Sequence, residues 1–204
     1  MLTTRGFSGR GRPQGDVAIR VPPGQHLTTD FPVLTAGPTQ QIPLQQWSFS
    51  LEANGKTLLS LDWEAFKALA QTEATVDIHC VTTWTKLDTK WRGVSVDTLF
   101  RAASLELAPT AFLMAHSDGG YTTNLPVADL IGGRAMVATH FDGKPLAPEH
   151  GGPARLLVPH LYFWKSAKWV RGLRFMEADE PGFWETHGYH LYGDPFREQR
   201  YRGD

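Results

Sequence analysis

The chain's single cysteine, Cys80, lies in the run His79-Cys80-Val81-Thr82-Thr83-Trp84, where an apolar alternation gives way to polar residues. A thiolate is both a nucleophile and a soft metal ligand, and a cysteine at a strand end can present its sulfur to a cleft. A free cysteine is also a common small hydrophobe of cores, so Cys80 alone leaves both roles open. A second group runs through His150-Gly151-Gly152-Pro153-Ala154-Arg155, Val158-Pro159 and Lys165-Ser166-Ala167-Lys168-Trp169. Arg155 has the fork geometry to grip a phosphate, the lysines add point charges, and a glycine turn lets backbone N–H groups approach an anion. That set suits a phosphorylated cofactor; a solvated basic edge strand is the plainer reading of the same composition.

Other chemistries fit less well. One cysteine and scattered histidines make no recognisable zinc set, and His187 and His190 lie among Gly188 and Tyr189 with no helix to align them. Gly9, Gly11 and Gly15 miss the dinucleotide fingerprint because Gln14 occupies the third glycine's place. No Gly-x-Ser-x-Gly elbow or Walker loop occurs. A cysteine hydrolase would pair Cys80 with a histidine base, for which His116, His140 or His150 are candidates.

Several elements must position these groups. Trp47, Phe49 and Leu51 alternate as a strand up to the turn dipeptide Asn54-Gly55, and Ser60 or Asp62 can cap a helix over residues 63–70. In a strand over 75–81, Val76, Ile78 and Cys80 share one face while Asp77 and His79 share the other. Ser95 can cap a helix with an apolar stripe of Val96, Leu99, Phe100 and Ala103. Further strands are expected at 111–116, 135–141, 154–159 and 168–176, with a turn at Asp142-Gly143. Strands outnumber helices without alternating with them, so the fold class is α+β, a mixed, β-rich single domain. Residues 1–30, rich in Gly, Pro and Arg, read as an extended N-terminal arm, and 31–204 as the domain. The aromatic tail of 181–204, with Phe183, Trp184, Tyr189 and Tyr192, should pack over that domain.

With 204 residues, 20 basic and 21 acidic, the chain has room for one substantial core and no global field to attract nucleic acid or an anionic membrane. A lone cysteine forms no internal disulfide, and neither an export signal nor a spanning segment can be read, so a cytoplasmic location is expected.

At the two constellations the chain resembles the sulfite oxidase family of molybdenum-cofactor proteins, particularly its short bacterial branch. The specific segments are residues 77–84 with Trp91-Arg92-Gly93-Val94, and 150–155 followed by Val158-Pro159 and 165–169; residues 31–37 and 120–124 support them. The resemblance implies the family's β-rich molybdopterin-binding fold and a mononuclear molybdenum held by Cys80 and the dithiolene of one molybdopterin. It places Leu34, Thr35, Ser117, His150, Arg155, Ser166, Ala167 and Lys168 at the pterin, with Arg155 and Lys168 neutralising its phosphate. It also implies a molybdopterin-dependent oxidoreductase that transfers oxygen atoms or electrons, with a small-molecule substrate and a redox protein partner. Residues 31–35 lack the arginine of true sulfite oxidases, and Thr139 stands at the position of their active-site tyrosine, so sulfoxide, sulfite and other oxyanions all stay open as substrates. No haem domain or immunoglobulin-like dimerisation domain is read in the chain. The rival readings are a non-catalytic relative that binds an anion or a protein, and a cysteine-dependent hydrolase.

Overall fold

A computed structural model describes residues 15–105 and 111–204. In chain order the strands and helices are β1 (His26–Leu27), β2 (Ser48–Ala53), β3 (Lys56–Asp62), α1 (Trp63–Ala68), β4 (Thr72–His79), β5 (Trp84–Ser95), α2 (Val96–Ala102), β6 (Phe112–Ser117), β7 (Thr122–Pro126), β8 (Met136–Phe141), β9 (Lys144–Pro145), β10 (Arg155–Leu157), β11 (Val170–Met176) and α3 (Phe183–Thr186). They form a mixed α+β domain around two sheets. The six-stranded sheet runs β1-β5-β8-β10, with β4 also on β5 and β9 on β8; the five-stranded sheet runs β3-β2-β11-β6-β7.

Local chemistry sets the boundaries. Asn54 (φ 50°) and Gly55 (φ 69°) give the β2–β3 hairpin a tight turn with both central residues left-handed, as the strands' twist requires. Asp62, rather than Ser60, caps α1 by accepting from Ala65 N (2.8 Å). Ser95 caps α2 by accepting from Thr98 N (3.2 Å). Ser95→Ala should cost about 1 kcal/mol, the usual loss of a capping hydroxyl, read as a lower urea midpoint at unchanged slope. An unmoved midpoint would show that the cap is dispensable.

The main core lies between the sheets, where Phe49, Leu51, Val94, Leu113, Val137, Leu156 and Leu173 are buried. The six-stranded sheet also buries its other face. There Ile78, Cys80, Trp84, Trp91, Met136, Ala138 and Leu157 form a second cluster. Strand parity explains the division, since Val137 faces the main core while Met136 and Ala138 face Cys80. β5 and β8 approach closely at Gly93, where a Cβ would lie 2.1 Å from Val137 O, and the register shifts there.

Three expectations change. Residues 1–14 of the expected arm lie outside the described residues; from Gly15 on, the segment is largely exposed but is tied to the domain rather than simply extended. Gly15–Arg20 is a 3-10 helix, Arg20 grips Asp77 through two nitrogens (2.9 and 2.6 Å), and β1 pairs in parallel with the start of β5. Its partners are remote in sequence, so local composition could not show these ties. Second, Cys80 stands just past the end of β4, not within it, because the chain turns back and Cys80 N bonds Trp84 O (2.9 Å). Third, β5 and β7 carry polar stretches that sequence periodicity passed over.

Candidate active site

A cavity of about 390 Å³ opens beside the second cluster, within the range of small-molecule and cofactor sites. Cys80 lines it, together with Leu34, Thr35, His150, Arg155, Ser166, Ala167 and Lys168, so the two constellations of the sequence share one wall.

The loop after β4 places Cys80. Its thiol lies 3.1 Å from the Thr82 hydroxyl, and its carbonyl accepts from Thr83 N (3.0 Å), with Thr83 in the left-handed region (φ 74°). Burial pushes the thiol's pKa up, against hydrogen bonds from Thr82 and Val81 and the charge of Lys168. As a free side chain at neutral pH it is therefore a thiol, not a thiolate.

Arg155 is 1% exposed. It donates to His150 O (2.8 Å) and Ser166 O (2.7 Å), stacks 4.0 Å from the Phe163 ring centroid, and keeps its Nε without a partner. Lys168 Nζ donates to Leu34 O (2.7 Å) and Glu149 O (2.6 Å). Among the described residues both cations thus bond only neutral carbonyls. Burial lowers their pKa values, that of Arg155 to about 9 and that of Lys168, with Arg155's charge adding to the effect, to about 8. A buried guanidinium beside a half-buried ammonium, with no carboxylate on either among the described residues, is a poor arrangement unless an anion completes it. The turn between them is tight, since a Cβ on Gly151 would come within 2.9 Å of Lys168 Cα and 3.1 Å of Arg155 Cβ. His150 stacks on Phe31 with ring centroids 3.9 Å apart, and its pKa is lowered by burial and by Arg155's charge.

The structure separates other residues from this wall. Ser117 is buried with an unpartnered hydroxyl and does not line the cavity, whereas its neighbours Asp118 and Gly119 do. Lys165 turns inward, fully buried against Glu185 (2.6 Å) and Asn124, so it is not part of the anion site. Thr139 lines a different cavity, with His140, Trp63 and Pro153. His190 Nδ1 accepts from Tyr192 N and Gly193 N, which gives it a structural task.

Sequence reasoning missed much of the aromatic lining. Tyr121, whose hydroxyl donates to Trp164 O (2.6 Å), lines the cavity with Trp184 and Tyr189 from the tail. The tail's aromatic density was the available signal, but it did not say which cavity the rings would line.

Comparison with known proteins identifies the family and the fold. Residues 36–184 match the family described as the oxidoreductase molybdopterin binding domain. The chain is 41% identical over 192 residues, 94% of its length and 96% of the relative's, to YuiH of Bacillus subtilis, an uncharacterized oxidoreductase. It is 28% identical over 168 residues to the protein-methionine-sulfoxide reductase catalytic subunit MsrP of Xanthomonas axonopodis, spanning 52% of that longer protein. Among solved structures, the sulfane dehydrogenase SoxCD of Paracoccus pantotrophus shares the fold, with a TM-score of 0.60 at 18% identity, covering 87% of this chain and 56% of that one.

Proposed function

Because the chain belongs to the oxidoreductase molybdopterin binding domain family, and is thus a molybdopterin-dependent oxidoreductase of the sulfite oxidase type, we propose that Cys80 is its protein ligand to molybdenum. One observation carries this reading: Cys80 shares a cavity with a buried cation, Arg155, and a half-buried one, Lys168, that have no carboxylate partner among the described residues. A phosphorylated, thiolate-ligated group supplies what each lacks.

The bound cofactor supplies oxygen-atom or electron transfer. The protein's part is to hold and enclose it. Cys80 would hold the metal as a thiolate, giving up its proton to do so, and Thr82 and the loop N–H groups would fix the sulfur's direction. Arg155 and Lys168 would hold the phosphate, with the 150–155 turn setting their spacing. Phe31, Phe163, Trp164 and Trp169 exclude water from the same wall. Leu34, Thr35, His150, Ser166 and Ala167 would contact the pterin, and Ser117 would support its lining neighbours Asp118 and Gly119. The substrate is a small molecule, with a sulfoxide, sulfite or another oxyanion in view, and electrons pass to or from a redox protein. X-ray absorption at the molybdenum edge should find one more sulfur than the dithiolene supplies; its absence would overturn ligation.

A hydrolase is disfavoured, because Cys80's sulfur bonds Thr82 rather than a histidine and burial disfavours its thiolate.

The anion site makes a separate prediction. Inorganic pyrophosphate should bind cofactor-free protein at pH 7, where Lys168 is charged. Above about 8 Lys168 loses its proton in the free protein, so a bound anion must restore it. Affinity should then fall by up to about tenfold per pH unit, with proton uptake on binding. Calorimetry at pH 7 and pH 9 reads both quantities, and equal affinity without proton uptake would remove Lys168 from the site.

A further inference from the structure

Behind the Cys80 loop lies a buried polar chain that starts ahead of the family-matched residues 36–184. Gln25 Nε2 donates to Cys80 O (3.2 Å), Thr85 Oγ1 donates to Gln25 Oε1 (2.5 Å), and the Thr85 oxygen meets His79 Nδ1 (3.0 Å). Gln25, Thr85 and His79 are all buried. Because the Thr85 hydroxyl proton goes to Gln25, its oxygen accepts from His79, which fixes Nδ1 as the protonated ring nitrogen. The backbone on either side is tied as well, with His26 N on Thr83 O (2.9 Å) and Thr28 N on Thr85 O (3.0 Å).

We propose that Gln25 is a positioning residue for the metal site, clamping the Cys80 carbonyl so that the thiolate keeps one direction into the cavity. The proposal rests on the reading of Cys80 as the molybdenum ligand. Cys80 N is held by Trp84 O, and Cys80 O is held by both Thr83 N and Gln25. With its backbone polar atoms satisfied, the residue has side-chain rotation as its main remaining freedom, and Thr82 limits that. Loss of the Gln25 contact lets the carbonyl, and with it the Cα–Cβ vector, move. A metal–sulfur bond responds to such a change, because partners behind a ligand set its orientation. A residue that merely pinned β1 to the sheet would affect stability and leave the metal's spectrum alone.

The test uses loaded enzyme with Gln25→Met, which keeps the side chain's length and removes the donor, and Thr85→Val, which removes the support of Gln25. Both should retain molybdenum and pterin, shift the sulfur-to-molybdenum absorption band, and lower kcat about ten- to a hundredfold with little change in KM. Thr85→Ser, which keeps the hydroxyl, should restore the wild-type band. In cofactor-free protein, Gln25→Met should also raise the alkylation rate of Cys80 several-fold. If Cys80→Ser moves the band but Gln25→Met and Thr85→Val do not, the clamp is overturned and ligation stands. If Cys80→Ser leaves the band in place, ligation itself falls, and the clamp with it. Should Gln25→Met fail to fold, the Thr85→Val and Thr85→Ser pair decides alone.

Discussion

Cys80→Ser is expected to remove turnover almost completely, by more than about the hundredfold that alterations behind a metal ligand can cause. An alkoxide is a harder ligand than a thiolate, and serine gives up its proton far less readily. The variant should lose the sulfur-to-molybdenum band while Arg155 and Lys168, which do not touch that sulfur, continue to hold the phosphorylated pterin. Pterin content near wild type, with activity and band both gone, is therefore the expected pattern. Activity within tenfold of wild type would show that the sulfur does not bind the metal.

The largest loss of stability should follow Glu185→Gln. Lys165 and Glu185 are both fully buried and 2.6 Å apart. Glu185 Oε1 also accepts from Thr123 Oγ1 (2.8 Å) and Trp164 Nε1 (3.0 Å), while Lys165 Nζ donates to Asn124 Oδ1 (2.8 Å) and Leu191 O (2.6 Å). Neutralising the carboxylate strands a buried ammonium, a change that costs about 3–5 kcal/mol where such pairs have been broken. Burial already lowers the Lys165 pKa, so part of the loss can be escaped by deprotonation as the pH rises. Lys165→Met together with Glu185→Leu should be far less damaging than either single change, because no uncompensated charge remains. Urea unfolding of the two singles and the double measures the coupling. A loss below about 1 kcal/mol for Glu185→Gln would show that the pair is not a charged one.

What the sequence revealed depended on distance along the chain. Cys80 and the Arg155–Lys168 group were legible because each sits in a short segment whose chemistry is local. That the two share a cavity follows from β4, β5, β8 and β10 lying in one sheet, a pairing no periodicity states. Ser117 and Lys165 show the limit: one is a single position away from lining residues, and the other faces inward to a carboxylate twenty residues on. For Thr139 strand parity held the answer, since it alternates with Met136 and Ala138, yet only the pairing of β8 shows which face Cys80 occupies. Gln25 was invisible because its partners, Cys80 and Thr85, lie far along the chain.

The tail's share in the cavity bears on when the site can be assembled in a cell. Trp184 and Tyr189 line the wall, and Glu185 locks the segment that carries Trp164 and Ser166. A growing chain that has emerged from the ribosome only as far as the Arg155–Lys168 group has the cations but not the rings that close over them. The complete wall thus exists only once the chain has been made through Tyr189, and a nascent chain halted before residue 183 should be unable to retain the cofactor.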